Sequence, residues 1–288
     1  MVKDGEFNEF DTIAVHGGYD PDPNIVYGIG QGAPRGIPVH RSTPFVFKNA
    51  EHAANLFSLA ELGNIYSRLM NPTNHVLESR YAQLEGGHPL SGLSVASGTN
   101  AIFYAIINLA SKGDNIVSSS SLYGGTYTMM NNLLPDLGID VRFVNCQDPQ
   151  SFAAAVDDKT RAFFCEGCSN PSLEICDLEQ VSEVAHDLGL PLIVDSTFST
   201  PYLCRPFDHG ADIITNSLTK WIGGHGACLG GIIVDKGTFN WGAGKHPLYD
   251  VSSTYIFDIY IEIFLIHDLY INPLTETRYL LQRSPMGT

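Results

Sequence analysis

Lys220 closes the run Asn216-Ser217-Leu218-Thr219-Lys220, after an apolar strand-like stretch and before Trp221-Ile222-Gly223-Gly224-His225-Gly226. A primary amine flanked by small hydroxyls and glycines can form an imine with an aldehyde cofactor, while Ser217 and Thr219 reach that cofactor's phosphate. A single lysine after a strand is usually a solvated charge, so a second element has to decide. That element is Leu192-Ile193-Val194-Asp195-Ser196-Thr197-Phe198, an apolar run broken by a carboxylate. Ligands of a parallel sheet gather at the carboxyl ends of its strands. Asp195 therefore faces the same cleft as Lys220, where a buried acid holds the proton on a ring nitrogen and turns the ring into an electron sink.

Three further segments offer groups to such a ligand. Ser94-Val95-Ala96-Ser97-Gly98-Thr99-Asn100 precedes a helical pattern over 101–109, so the amides of Gly98 and Thr99 point from a helix N-terminus and suit a phosphate. Taken alone, Ser97 reads equally as an ordinary N-cap. Tyr123, in Ser121-Leu122-Tyr123-Gly124-Gly125-Thr126-Tyr127, stands at the carboxyl end of a strand and can stack on a flat ring or simply cover a turn. Ile65-Tyr66-Ser67-Arg68-Leu69-Met70-Asn71-Pro72-Thr73 puts a phenol and a guanidinium in a loop, which by itself says nothing specific.

The elements that must position these groups follow from periodicity. Short β-branched runs at 115–118, 141–144, 162–165, 192–194, 212–215 and 231–234 alternate with helical patterns, which predicts an α/β sheet wrapped by helices. Between two of these strands Leu178, Val181, Ala185 and Leu188 recur at helical spacing, with Asp177 as N-cap, Gln180 three residues on and Gly189 as the stop. Residues 1–60 differ: 17–44 is rich in Gly and Pro and poor in periodicity, and reads as an extended arm for subunit contact. Gly28-Ile29-Gly30-Gln31-Gly32-Ala33 is a poor match to a dinucleotide loop, with no acid suitably placed in a following strand.

Composition narrows the partners. Lys and Arg number 16 against 31 Asp and Glu, a net charge of −15 with no basic run, which argues against nucleic acid or an anionic membrane. Six cysteines and a start with no apolar signal-like region point to the reducing cytoplasm. Cys165 and Cys168 form a lone C-x-x-C without a second pair, so no metal is expected there. The apolar stretch 251–271 carries Asp258, Glu262, His267 and Asp268, and fits a half-buried helix rather than a membrane span.

In order and at matching spacing, Y-S-R-x-x-N-P-T, S-G, L-Y-G-G-T, V-D-x-T-F and S-x-T-K-W-I-G-G-H-G resemble the Cys/Met-metabolism family of pyridoxal-phosphate enzymes, from about residue 11 to 241. Within the family the chain looks most like the O-acetylhomoserine sulfhydrylases, through Glu51-His52-Ala53-Ala54-Asn55-Leu56-Phe57, Trp221, and Gly125 where methionine γ-lyases often carry Cys. The resemblance implies the aspartate-aminotransferase-like fold type I, with a mostly parallel seven-stranded sheet. It divides the chain into an arm (1–60), a large cofactor domain (61–260) and the start of a C-terminal region (261–288).

The resemblance further implies pyridoxal 5'-phosphate tethered to Lys220, with Asp195 on the pyridine nitrogen and Tyr123 stacked on the ring. It places Gly98, Thr99, Ser217 and Thr219 on the phosphate and Asn170 near the ring hydroxyl. Tyr66 and Arg68 would reach the site of the neighbouring subunit in a homodimer or homotetramer. The implied reaction is γ-replacement: Lys220 and Tyr123 move protons, acetate leaves Cγ of O-acetylhomoserine, and sulfide adds to give homocysteine, in methionine and cysteine biosynthesis. Cystathionine γ-synthase chemistry and methionine γ-lyase type γ-elimination stay open beside it.

Three positions depart from the family pattern: Asn216 stands where His is common, Ser196 where Asn is usual, and Thr99 where Met or Gln follows S-G. The family's C-terminal small domain, which supplies the arginine for the substrate carboxylate, is expected to be largely missing, and Arg278 and Arg283 match no family motif. Binding of cofactor without turnover is therefore a further expectation.

Overall fold

A computed structural model describes residues 9–246, apart from 25, 28, 29, 59 and 244. The apolar stretch 251–271, Arg278, Arg283 and the region 261–288 lie outside the described residues, as does part of the glycine-rich segment 28–33.

Seven strands build one sheet: β3 (Gly92–Val95), β4 (Asn115–Ser119), β5 (Asp140–Val144), β6 (Thr160–Glu166), β7 (Leu192–Asp195), β8 (Ile213–Asn216) and β9 (Gly231–Asp235). Their order is β3-β9-β8-β7-β6-β4-β5, and only the pairs that β9 makes are antiparallel. A separate two-stranded ribbon, β1 (Val26–Tyr27) and β2 (Gly30–Gln31), takes part of the glycine-rich segment. That segment leads into no helix, as a dinucleotide loop would require.

The central strands are apolar on both faces because helices cover both. Along β6, Phe163 and Cys165 face one core while Ala162 and Phe164 face the other, the period-2 alternation of a strand. The first core is filled by α8 (Leu178–Asp187) through Leu178, Val181 and Ala185, by Tyr81 and Ala82 of α3 (Pro72–Leu84), and by Phe152 of α7 (Pro149–Ala154). The second is filled by Ala101, Ile102, Ala105 and Ile106 of α4 (Gly98–Leu109) with Met130 and Leu134.

Local signals place the helix ends. Asp177 accepts the Gln180 N–H at 3.1 Å, and Gly189 turns the chain out of α8 at φ +67°. Asn71 caps α3 by accepting the Thr73 N–H at 2.9 Å. Glu78 of that helix then ties it to β3, accepting from both the amide and the hydroxyl of Ser94. Two findings differ from the sequence reading. The helix expected over 101–109 begins at Gly98, and the arm contains α1 (Phe10–His16) and α2 (Ala50–Phe57). The arm's α1 is held to α3 through Arg80, whose Nε donates to the Gly17 carbonyl at 2.8 Å.

The direction of winding reverses between β4 and β6. From β4 the chain steps outward to β5, then returns to the other side of β4 and proceeds through β7 and β8. The segments that follow β4 and β6 therefore leave for opposite faces of the sheet, the geometry that opens a ligand crevice beyond the strand ends. Among the described residues no helix is long and apolar enough to cross a membrane.

Candidate active site

Lys220 and Asp195 emerge at the same edge of the sheet. Asp195 is the last residue of β7 and pairs in register with Thr215 of the adjacent parallel β8; Lys220 follows four residues after β8 ends. Hydrogen bonds lock the two loops together. The Thr197 N–H donates to Asp195 Oδ1 at 2.8 Å, and Thr197 Oγ1 in turn accepts the Ser217 N–H at 2.8 Å. Lys220 sits in a tight turn whose backbone bonds run from its own N–H to Ser217, and from Gly224 back to its carbonyl. Its side chain is exposed.

The N-terminus of α4 closes against the same loop. A Cβ on Gly98 would lie 2.5 Å from Ser217 Cβ, and one on Gly231 would lie 2.1 Å from the Ser97 carbonyl oxygen. Only glycine permits that approach of helix, loop and β9. Ser97 Oγ accepts the Asn100 N–H at 3.2 Å, so the N-cap expected there exists alongside the phosphate-site expectation. The amides of Gly98 and Thr99 precede the first intrahelical donor and stand outside the ladder. Thr219 differs: its hydroxyl donates to the Gly230 carbonyl and accepts the Gly230 amide, so it braces the loop from within the chain.

Tyr123 starts α5 (Gly124–Thr128), a short helix that runs through a π-helical turn (Met129–Leu133) into α6 (Leu134–Asp136). The phenol lies against Gly125, where a Cβ would meet ring Cε1 at 2.6 Å, and half of the residue stays exposed. Asn170 follows β6 in the next loop. The contacts described for Tyr66 and Arg68 involve none of these groups. Tyr66 bridges Pro44, Ser67 bonds Thr43, and the Arg68 guanidinium lies 5.2 Å from the Tyr66 ring centre. The contacts described for them run to the arm and to each other.

Electrostatics separate Asp195 from an ordinary surface acid. It is largely enclosed by protein, and burial pushes its carboxyl above the usual range, partly offset by the Thr197 hydrogen bonds. Among the described residues its partners are donors of Thr197, and no cation pairs with it. Beside it, Glu166 ends β6 in register with Asp195. Burial first, and then the Asp195 charge, raise its carboxyl to about 7. Glu166 and Thr197 carry geometry that sequence reasoning left without a role. Glu166 shows the signal that singled out Asp195, a carboxylate closing an apolar parallel strand.

Elsewhere, a hollow of about 380 Å³ lined by His186, Asp212, Lys236 and Phe239 lies at the amino ends of β7 and β8, away from Asp195. All six cysteines are free, and among the described residues no group of three or more His, Cys, Asp or Glu side chains could hold a metal ion.

The family model described as "Cys/Met metabolism PLP-dependent enzyme" matches residues 11–254. This chain belongs to that family. Among curated family members, an O-acetyl-L-homoserine sulfhydrylase of Leptospira meyeri is 51% identical over 235 residues, 82% of this chain and 51% of that protein. O-acetyl-L-homoserine sulfhydrylase 1 of Thermus thermophilus is 49% identical over 83% of this chain and 55% of its own length. The chain thus spans about half the length of the curated relatives it matches. A solved O-acetylhomoserine (thiol)-lyase of Campylobacter jejuni, containing N'-pyridoxyl-lysine-5'-monophosphate, superposes with a TM-score of 0.77 at 34% identity, over 90% of this chain and 69% of that one. The sheet and its helices are accordingly those of fold type I.

The residues present fit the family's cofactor. An unpaired, largely buried acid suits a cationic ring nitrogen, and the Gly98–Ser217 contact leaves unclaimed amides and a hydroxyl for a phosphate. An exposed amine follows on the same loop.

Proposed function

We propose that this chain carries the pyridoxal 5'-phosphate site of an enzyme of methionine and cysteine biosynthesis, which exchanges the acetyl ester of O-acetylhomoserine for sulfide, giving homocysteine and acetate. The observation that carries this reading is Asp195, a carboxylate without a cationic partner, locked through Thr197 to the loop that bears Lys220. The substrate assignment rests on the names of the relatives at about 50% identity.

Lys220 would tether the cofactor, and its amine would be the base that takes the proton from Cα of the substrate. When bound, pyridoxal 5'-phosphate supplies a conjugated ring that stabilises negative charge at Cα and Cβ. Asp195 holds the proton at the ring nitrogen. Gly98, Thr99 and Ser217 bind the phosphate, with Thr219 holding their loop to Gly230. Each charge-assisted hydrogen bond of this kind contributes about 1.5–3 kcal/mol. Tyr123 would stack on the ring and assist proton transfer, and Asn170 would hold the ring hydroxyl. Tyr66 and Arg68 complete the phosphate site of a second subunit in a homodimer or homotetramer, and the protein works in the cytoplasm.

Protein reconstituted with pyridoxal 5'-phosphate should show the visible absorbance of a lysine-bound cofactor, and Lys220→Ala should remove it. An unchanged spectrum in Lys220→Ala refutes the tether. On the same preparation, sulfide with O-acetylhomoserine should yield homocysteine and acetate. Release of ammonia and an oxo acid instead would assign γ-elimination, and a bound cofactor without product would limit the assignment to the cofactor site.

A further inference from the structure

Glu166 is a buried acid whose two oxygens hold two different loops. Oε1 accepts the N–H of Tyr123 at 2.7 Å, and Oε2 accepts the N–H of Asn170 at 3.1 Å. Tyr123 follows β4 and Asn170 follows β6, neighbouring parallel strands whose following segments leave for opposite faces of the sheet. Beyond the strand ends the two segments no longer share a ladder. One carboxylate bonded to both amides replaces that ladder. The side chain is almost wholly buried, and its strand is in register with β7 at Asp195.

We propose that Glu166 is a positioning residue of this site: its carboxylate clamps the backbone of Tyr123 to that of Asn170, and so sets where the phenol and the amide stand beside Asp195. The role presupposes the cofactor site proposed above and adds to it a dependence on charge. Ionised, Glu166 offers full acceptors to both amides; protonated, one oxygen becomes a donor and its amide is released. The titratable groups around it are Asp195 across the strand pair and Cys168 in the following loop. Beyond them lie the Tyr123 phenol and Glu174, which takes the Ser121 hydroxyl. Burial and Asp195 bring its titration to about 7, so the clamp loosens as pH falls through neutrality.

Residue-resolved hydrogen exchange on wild-type protein without cofactor tests the clamp directly. After correction for intrinsic rates, exchange at the Tyr123 and Asn170 amides should quicken about ten-fold as pH is lowered through about 7, with no such step for Phe163, Phe164 and Cys165 in β6. Glu166→Gln, which keeps the shape with a single acceptor, should exchange fast at one of the two amides at every pH. It should also bind pyridoxal 5'-phosphate about ten-fold more weakly, with the pH step abolished. Equal protection of both amides in wild type and Glu166→Gln overturns the proposal. So does an even loss of protection across the sheet, or undiminished cofactor affinity in a variant whose amide has been freed. Failure of the wild type to bind pyridoxal 5'-phosphate would instead refute the cofactor reading, and the exchange data would still decide whether the clamp exists.

Discussion

At the scale of single residues, the cleft floor is a set of acids whose charge the fold makes costly. Glu85, at the end of α3, is fully buried, and only one of its oxygens is used: Oε1 accepts from Tyr81 at 2.8 Å and from Ser196 at 3.3 Å, while Oε2 has no partner. Burial lifts its carboxyl to about 7, against hydrogen bonds that lower it. Because the folded value lies above the unfolded one, folding takes up a proton. This contribution is full below about 4.5 and is lost as pH rises towards about 7. Glu85→Gln keeps the one acceptor in use and has no charge to bury. Urea unfolding should find the variant more stable than wild type by about 2–3 kcal/mol above neutral pH, with the gap closing at acid pH. A gap independent of pH would show that Glu85 is held as an ion in the native state. Two of the three departures from the family pattern meet here, since Asn216 Nδ2 donates to the Ser196 carbonyl at 3.0 Å.

At the scale of elements, the site depends on how closely α4 approaches the loop after β8. The Gly98–Ser217 contact leaves no room for a methyl group, and the atoms in the way are Ser217 Cβ and Cα, which cannot rotate aside. Gly98→Ala should therefore destabilise the protein by about 1–3 kcal/mol and weaken pyridoxal 5'-phosphate binding, by displacing the amides of Gly98 and Thr99. Gly124→Ala is the control: nothing lies within 4 Å of its added Cβ, and it should be neutral or stabilising by about 0.5 kcal/mol. Thermal melts together with cofactor titration separate the two effects. Equal behaviour of both variants would mean that the α4 approach is not what shapes the site.

For the whole molecule, the site as described is open. Trp221 and Leu229, which flank the Lys220 turn, are 65% and 79% exposed, and Val46 of the arm is 98% exposed. The proposal that Tyr66 and Arg68 serve a neighbouring copy is open to a direct test. In a two-fold dimer that shares its sites this way, mixing inactive Arg68→Ala and Lys220→Ala subunits restores one intact site per mixed dimer. Random reassociation should thus recover about a quarter of the wild-type activity, if each defect is confined to its own residue. No recovery over unmixed controls would count against a shared site.

Much of this was legible before any coordinates. The run 178–189 carries its own cap, apolar stripe and stop, so its helix could be placed to within a residue. The strands of the parallel core announce themselves as short apolar runs, because burial on both faces removes alternation. The chemistry was legible too, since an amine beside hydroxyls and glycines and an acid closing a buried strand are local patterns. What the local patterns could not contain is which distant backbones meet. β3 pairs with β9, far along the chain, so Gly92–Val95 carries too little signal of its own to stand out before Ser97. The Thr197 link between the Asp195 and Lys220 loops, the methyl-free contact at Gly98 and the bond from Tyr123 to Glu166 join residues 20 to more than 100 positions apart. Side-chain type and spacing therefore determined which chemistry the chain can carry, while the order of strands in the sheet decided which of those groups share a cleft, because only pairing across the sheet brings them within reach of one ligand.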